Sequence, residues 1–149
     1  DSINFKNIKT EYQSKIKPPV FSHIYGSDED LRAIRVTKSN LEEAGLAVAV
    51  ELSCKSFNDI VVPLKAGVLI TNPPYGVRIG EDENLAKAYP LWASTMKKKL
   101  SGWRTYFLTS DLRMPKLMRL SPTKKTPLYN GALDCRLFEI KMVAGSNRT

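Results

Sequence analysis

Apolar positions along this chain fall into short continuous runs separated by stretches of helical spacing. Val20 to Gly26, Leu46 to Leu52, Gly67 to Thr71 and Trp103 to Thr109 read as strands. Between them the apolar residues recur every three or four positions. Ile8, Tyr12 and Ile16 mark a short amphipathic helix that ends before Pro18-Pro19. Leu31, Ile34, Leu41 and Ala44 form the buried face of a helix from about Glu29 to Ala44. Asp28 or Asp30 can cap it and Gly45 stops it. Leu85, Tyr89, Trp92, Met96 and Leu100 give a third helix over Glu81 to Leu100, in which Pro90 predicts a kink or a second start. Trp92 belongs to its core side. Ser56 to Pro63 is a loop. Leu133 to Val143 alternates Leu137, Glu139, Lys141 and Val143 with Phe138, Ile140 and Met142, the second strand of a β-hairpin. Asn130-Gly131 is a tight turn ahead of that strand, or a substrate-facing loop.

Strands joined by helices are parallel, through right-handed crossovers, and the terminal hairpin is antiparallel. The expected fold is therefore an α/β open sheet, mostly parallel. Residues 1–19 are a helical lead-in, 20–143 the core and 144–149 a frayed tail. A chain of 149 residues with 42% hydrophobic content makes one domain or most of one. No apolar run reaches the ~18 residues of a membrane span, and the polar, lysine-rich start is not a secretory signal. Cys54 and Cys135 lack metal-ligand spacing and read as reduced thiols. These features predict an intracellular protein, cytoplasmic or organellar, with no membrane partner and no metal.

Net charge is +8, unevenly spread. Between Lys97 and Lys125 stand nine basic residues (Lys97, Lys98, Lys99, Arg104, Arg113, Lys116, Arg119, Lys124, Lys125) against the single acid Asp111. Such a field attracts a polyanion and speeds its encounter. A solvated basic surface without a partner has the same composition.

Candidate chemistry concentrates after the third strand, in Thr71-Asn72-Pro73-Pro74-Tyr75-Gly76-Val77-Arg78-Ile79-Gly80. Neither proline can donate to a sheet ladder, so the strand ends there and the backbone is held extended. An amide side chain, fixed carbonyls and an aromatic ring then stand at the carboxyl end of a strand, where open α/β sheets bind ligands. The set suits a planar amine, with carbonyl oxygens accepting its N–H groups and Tyr75 stacking on its ring.

Asn72-Pro73-Pro74-Tyr75 after a hydrophobic strand resembles the motif of S-adenosylmethionine-dependent methyltransferases that act on exocyclic or amide nitrogen. With Gly76, Arg78 and Gly80 following, it is most similar to the ribosomal RNA guanine methyltransferases, often built with an N-terminal THUMP domain. Ile24 to Asp30, with Ala33-Ile34, Asn40 and Ala44-Gly45, resembles that family's second strand, acidic turn and helix. Leu128 to Leu137 resembles its C-terminal hairpin. The resemblance implies the class I Rossmann-like fold, S-adenosylmethionine as cofactor and RNA as partner. It implies catalytic roles for Asn72, Pro73, Pro74 and Tyr75. It places the cofactor against Gly26, Asp28, Ser56 and Asn72, with Asp28 accepting the ribose hydroxyls and Ser56 standing where the family often has an acid for adenine. Arg78, Lys97, Lys98, Arg113, Lys116, Arg119, Lys124 and Lys125 are candidate nucleic-acid contacts. His23 is expected to be a strand residue rather than a base. DNA-adenine and protein-glutamine methyltransferases share the four-residue motif, and a non-catalytic RNA-binding fragment is the reading of another class. No Gly-x-Gly run precedes Asp28, so the family's first strand and glycine-rich loop are expected to be missing. The chain then reads as the C-terminal portion of a catalytic domain, or as a degenerate copy.

Overall fold

The computed structural model describes residues 2–19, 23–74 and 81–143. Its contacts divide the chain into two compact units, residues 1–56 and 57–149. In the first, helix α1 (Ser2–Ser14) precedes strand β1 (Ile24–Asp28), helix α2 (Leu31–Glu43) and strand β2 (Val50–Cys54). Strands β1 and β2 pair in parallel, Ile24 opposite Val50 through Asp28 opposite Cys54, as a strand–helix–strand crossover requires. Asp30 caps α2, its carboxylate accepting the Arg32 N–H at 2.8 Å. Gly45 (φ 67°) closes the helix in the left-handed region.

This unit differs from expectation in its packing. Leu31 is exposed and Ile34 and Leu41 are half-buried, so the α2 face is not closed over. Ala49 is its one buried apolar residue among those described. Two strands and one helix offer too little surface to enclose a core. The first strand starts at Ile24, and Val20 to Ser22 lie outside the described residues. His23 precedes it, exposed and at φ 54°. The second starts at Val50, because Ala47–Ala49 turns as a short 3-10 helix.

The second unit carries the core. Strand β3 (Val68–Thr71), helix α3 (Glu81–Lys99) and strand β4 (Arg104–Thr109) form a second parallel crossover, Val68 opposite Arg104 and Thr71 opposite Phe107. Helix α4 (Met114–Met118) follows, then the hairpin of β5 (Lys124–Asn130) and β6 (Leu133–Lys141). The sheet order is β3-β4-β6-β5, with β6 antiparallel to both neighbours. Tyr89 and Met96 of α3, and Leu100 just after it, pack with Phe107, Met114, Met118, Phe138 and Ile140, all at most 2% exposed. Phe57 and Trp92 flank this cluster with ring centroids 5.3 Å apart.

Three details depart from the sequence reading. Helix α3 runs unbroken through Pro90, which faces solvent. Helix α4 shows no apolar periodicity in five residues and was not expected. Strand β5 includes Pro127, which is tolerated because β5 is the sheet's edge. The Asn130-Gly131 corner does form a two-residue hairpin connection. Gly131 (φ 60°) stands first in the loop, where a left-handed conformation matches the twist of the flanking strands.

Candidate active site

The carboxyl end of β1 gathers the first group of expected residues. Asp28 is the last residue of the strand and is exposed. One carboxylate oxygen accepts the Asp30 N–H at 2.7 Å, which folds the turn between strand and helix. The Lys55 N–H donates to the Asp28 carbonyl at 2.9 Å, tying the end of β2 to the same place. Ser56 follows directly, so Asp28 and Ser56 stand at one end of the two-stranded sheet. Gly26 lies two residues back, opposite Leu52. A Cβ there would meet Leu52 Cδ2 at 2.8 Å, so sheet packing alone accounts for a small residue. Asp28 and Ser56 offer an exposed carboxylate and a hydroxyl at a strand terminus. That donor and acceptor set fits the ribose and amine groups of a nucleoside-type cofactor.

The carboxyl end of β3 carries the second group. Asn72 leaves the strand exposed, and its amide makes no hydrogen bond with the described residues. Pro73 is buried and Pro74 exposed. The buried ring anchors the corner from which the amide projects. Tyr75, Gly76, Arg78 and Gly80 lie outside the described residues.

Two ion pairs that sequence reasoning did not anticipate, one of them engaging the expected nucleic-acid contact Arg113, stand at the same end of the second unit's sheet. Asp111 follows β4, its side chain 8% exposed. It accepts Arg113 Nε at 2.9 Å and Arg113 Nη2 at 3.0 Å, plus the Arg113 N–H at 2.9 Å. This arginine holds the carboxyl below the usual carboxylate range, although burial works in the other direction. Arg136, opposite Thr109, pairs with Asp134. A carboxylate two residues before an arginine, repeated in Asp111/Arg113 and Asp134/Arg136, was the legible signal.

The expected nucleic-acid contacts do not form one patch. The Arg113 guanidinium is committed to Asp111 beside the carboxyl ends of β3 and β4. Lys97 and Lys98 occupy the last turn of α3, which leads into the start of β4. They therefore lie at the end of the sheet opposite Asn72, separated by the length of six-residue β4, about 20 Å. Lys116 lies in α4 and Arg119 caps it. Lys124 and Lys125 begin β5, opposite Glu139 and Phe138 near the middle of β6.

Among the described residues there is no group of three His, Cys, Asp or Glu side chains that could hold a metal, and no helix long and apolar enough to cross a membrane. Cys135 is buried and Cys54 exposed, both as free thiols.

The model of the RMKL-like methyltransferase domain matches residues 2–139. The chain belongs to this family. A relative from Shewanella loihica, "Ribosomal RNA large subunit methyltransferase K/L", is 36% identical over 124 residues, 83% of this chain and 17% of its own length. The crystal structure of SMU.472 complexed with SAH superposes with a TM-score of 0.83 at 27% identity, over 98% of this chain and 38% of that one. A "possible methylase" from Clostridium difficile 630 gives 0.84 at 25%, over 99% and 39%. The fold is that of the class I methyltransferases, α/β with a mostly parallel sheet and an antiparallel hairpin. The chain spans less than a fifth of the curated relative's length.

Proposed function

We propose that this methyltransferase-family chain takes part in methyl transfer from S-adenosylmethionine to an exocyclic amine of ribosomal RNA, most specifically N2 of guanine. The observation that carries the proposal is the corner after β3, where an exposed Asn72 amide, with no hydrogen bond among the described residues, stands beside a buried proline. The Asn72 side-chain oxygen and the Pro73 carbonyl accept the two hydrogens of the target amine. An amine on a purine ring is a weak nucleophile, because its lone pair is delocalised into the ring. Holding both hydrogens away from the ring plane turns the lone pair toward the electrophile. The cofactor, when bound, supplies a methyl group on a sulfonium centre. Positioning and fixed dipoles then provide the rate gain, without a strong base. Asp28 accepts ribose hydroxyls of the cofactor, Ser56 hydrogen-bonds its adenine, Gly26 and Asn72 border it, and Tyr75 stacks on a base swung out of its helix.

Membership of the methyltransferase family and the SAH found in a structural neighbour support the cofactor. The name of the Shewanella relative and the charge of +8 support an RNA substrate. In this reading residues 1–149 are part of a catalytic domain. The full-length protein adds the remainder and an RNA-binding module of the THUMP kind, and acts where ribosomal RNA matures.

The test is product identity. Full-length protein, labelled cofactor and large-subunit ribosomal RNA are incubated, and the RNA is digested to nucleosides. Labelled N2-methylguanosine is expected. Label in adenine of DNA, or in protein glutamine, would replace the substrate assignment.

A further inference from the structure

Helices α3 and α4 leave a groove of about 450 Å³ between them. Buried Ala93 and Met118 make an apolar floor with exposed Pro90 at its edge, and Ser94, Lys97 and Arg119 supply a hydroxyl and two cations. Neither cation makes an ion pair among the described residues, unlike Arg113 and Arg136. The groove is lined by the second half of α3 and the end of α4.

Arg119 has an unusual backbone for its residue type. Helix α4 closes with the Leu120 N–H donating to the Pro115 carbonyl and the Arg119 N–H to the Lys116 carbonyl, both at 3.1 Å. This is the paired closure that normally carries glycine in the left-handed position. Arginine occupies it instead, at φ 51° and ψ 47°. A glycine would relieve the strain, so the arginine side chain is kept at a cost to the helix end. The cost is intelligible if the Arg119 side chain, which lines the groove with Lys97, has a ligand.

We infer that the α3–α4 groove is a second RNA site, which grips phosphodiester through Lys97, Arg119 and the Ser94 hydroxyl and seats ribose on the apolar floor. This inference rests on the RNA reading above and adds a grip made by residues other than those of the methyl-transfer corner. Both the sugar and the phosphate are sequence-independent features, so the site contributes affinity and register rather than base choice.

The test compares Arg119→Gly and Lys97→Gln in the full-length protein, with Lys38→Gln on α2 as the control for loss of one charge. Binding of a labelled 20-nucleotide oligouridylate is followed against salt, alongside melting temperature and the kcat and KM for ribosomal RNA. Each groove variant is expected to weaken binding about tenfold. Each should flatten the log–log salt slope by about 0.7, the value for one lost contact to a single strand. KM should rise with kcat unchanged, and Arg119→Gly should melt no lower than wild type. Unchanged binding and slope in both variants, with wild type binding normally, would overturn the groove and leave the RNA reading standing. A melting temperature that falls together with affinity in Arg119→Gly would mark that arginine as structural and also overturn it. No salt-dependent binding by wild type would remove the RNA reading itself.

Discussion

Asp111 shows how a single residue escapes sequence reading and still shapes the site's rim. It is an isolated acid in a basic stretch and belongs to no periodic pattern. The structure buries its carboxylate against Arg113, and the ion pair lowers its pKa. A carboxyl whose folded value lies below its unfolded value contributes stability above the unfolded value. That contribution disappears as pH falls through the folded one. Thermal melts between neutral and strongly acidic pH should therefore show wild type losing stability on acidification more steeply than Asp111→Asn, with the two curves converging at the acid end. Parallel curves over the whole range would mean that the pair contributes nothing. Asp30, by contrast, was legible, because a short acid before an amphipathic run has one common local use, capping. The Asn72 corner was legible for a similar reason, since two prolines leave the backbone little choice.

At the scale of elements, every long periodic segment formed in its expected place. The misses have local causes. In α3, burial of Tyr89, Ala93 and Met96 on one side holds the helix through Pro90, whose ring points to solvent. Tertiary packing there outweighs the lost hydrogen bond. Helix α4 is too short to leave a pattern, and the first strand of the expected hairpin starts earlier than expected, at Lys124, through a proline that edge position permits. Strand β3 is the opposite edge of the same sheet, and Val68 and Ile70 on it are 62% and 74% exposed. An edge strand with exposed branched apolar residues is a template for pairing with another chain. Substituting Ile70→Lys in the 149-residue chain should shift sedimentation toward monomer and raise the concentration at which it precipitates. An unchanged size distribution would show that this edge is not the site of association.

On the scale of the molecule, the two units differ in how much they can hold by themselves. The second has a closed core of α3, α4 and the four-stranded sheet, whereas the first buries one apolar residue among those described. Sequence patterning anticipates that a helix has an apolar face, but not whether enough partners exist to cover it, and that is why the α2 face was misread. Charge is organised at this scale as well. Arg113 and Arg136 are paired at the end of the sheet that carries Asn72, while Lys97 and Lys98 stand at the other. A run that is continuous in sequence is divided by strand β4, six residues and about 20 Å long.

The central claim is that Asn72 orients the accepting amine. Single-turnover methyl transfer to ribosomal RNA, at saturating RNA and cofactor, tests it in full-length wild type and Asn72→Ala. Asn72 is exposed and free of hydrogen bonds to the described residues, so the variant should melt with wild type. The account predicts a rate at least about a hundredfold lower, as for loss of one preorganised polar group. Equal rates in two equally stable proteins would contradict it.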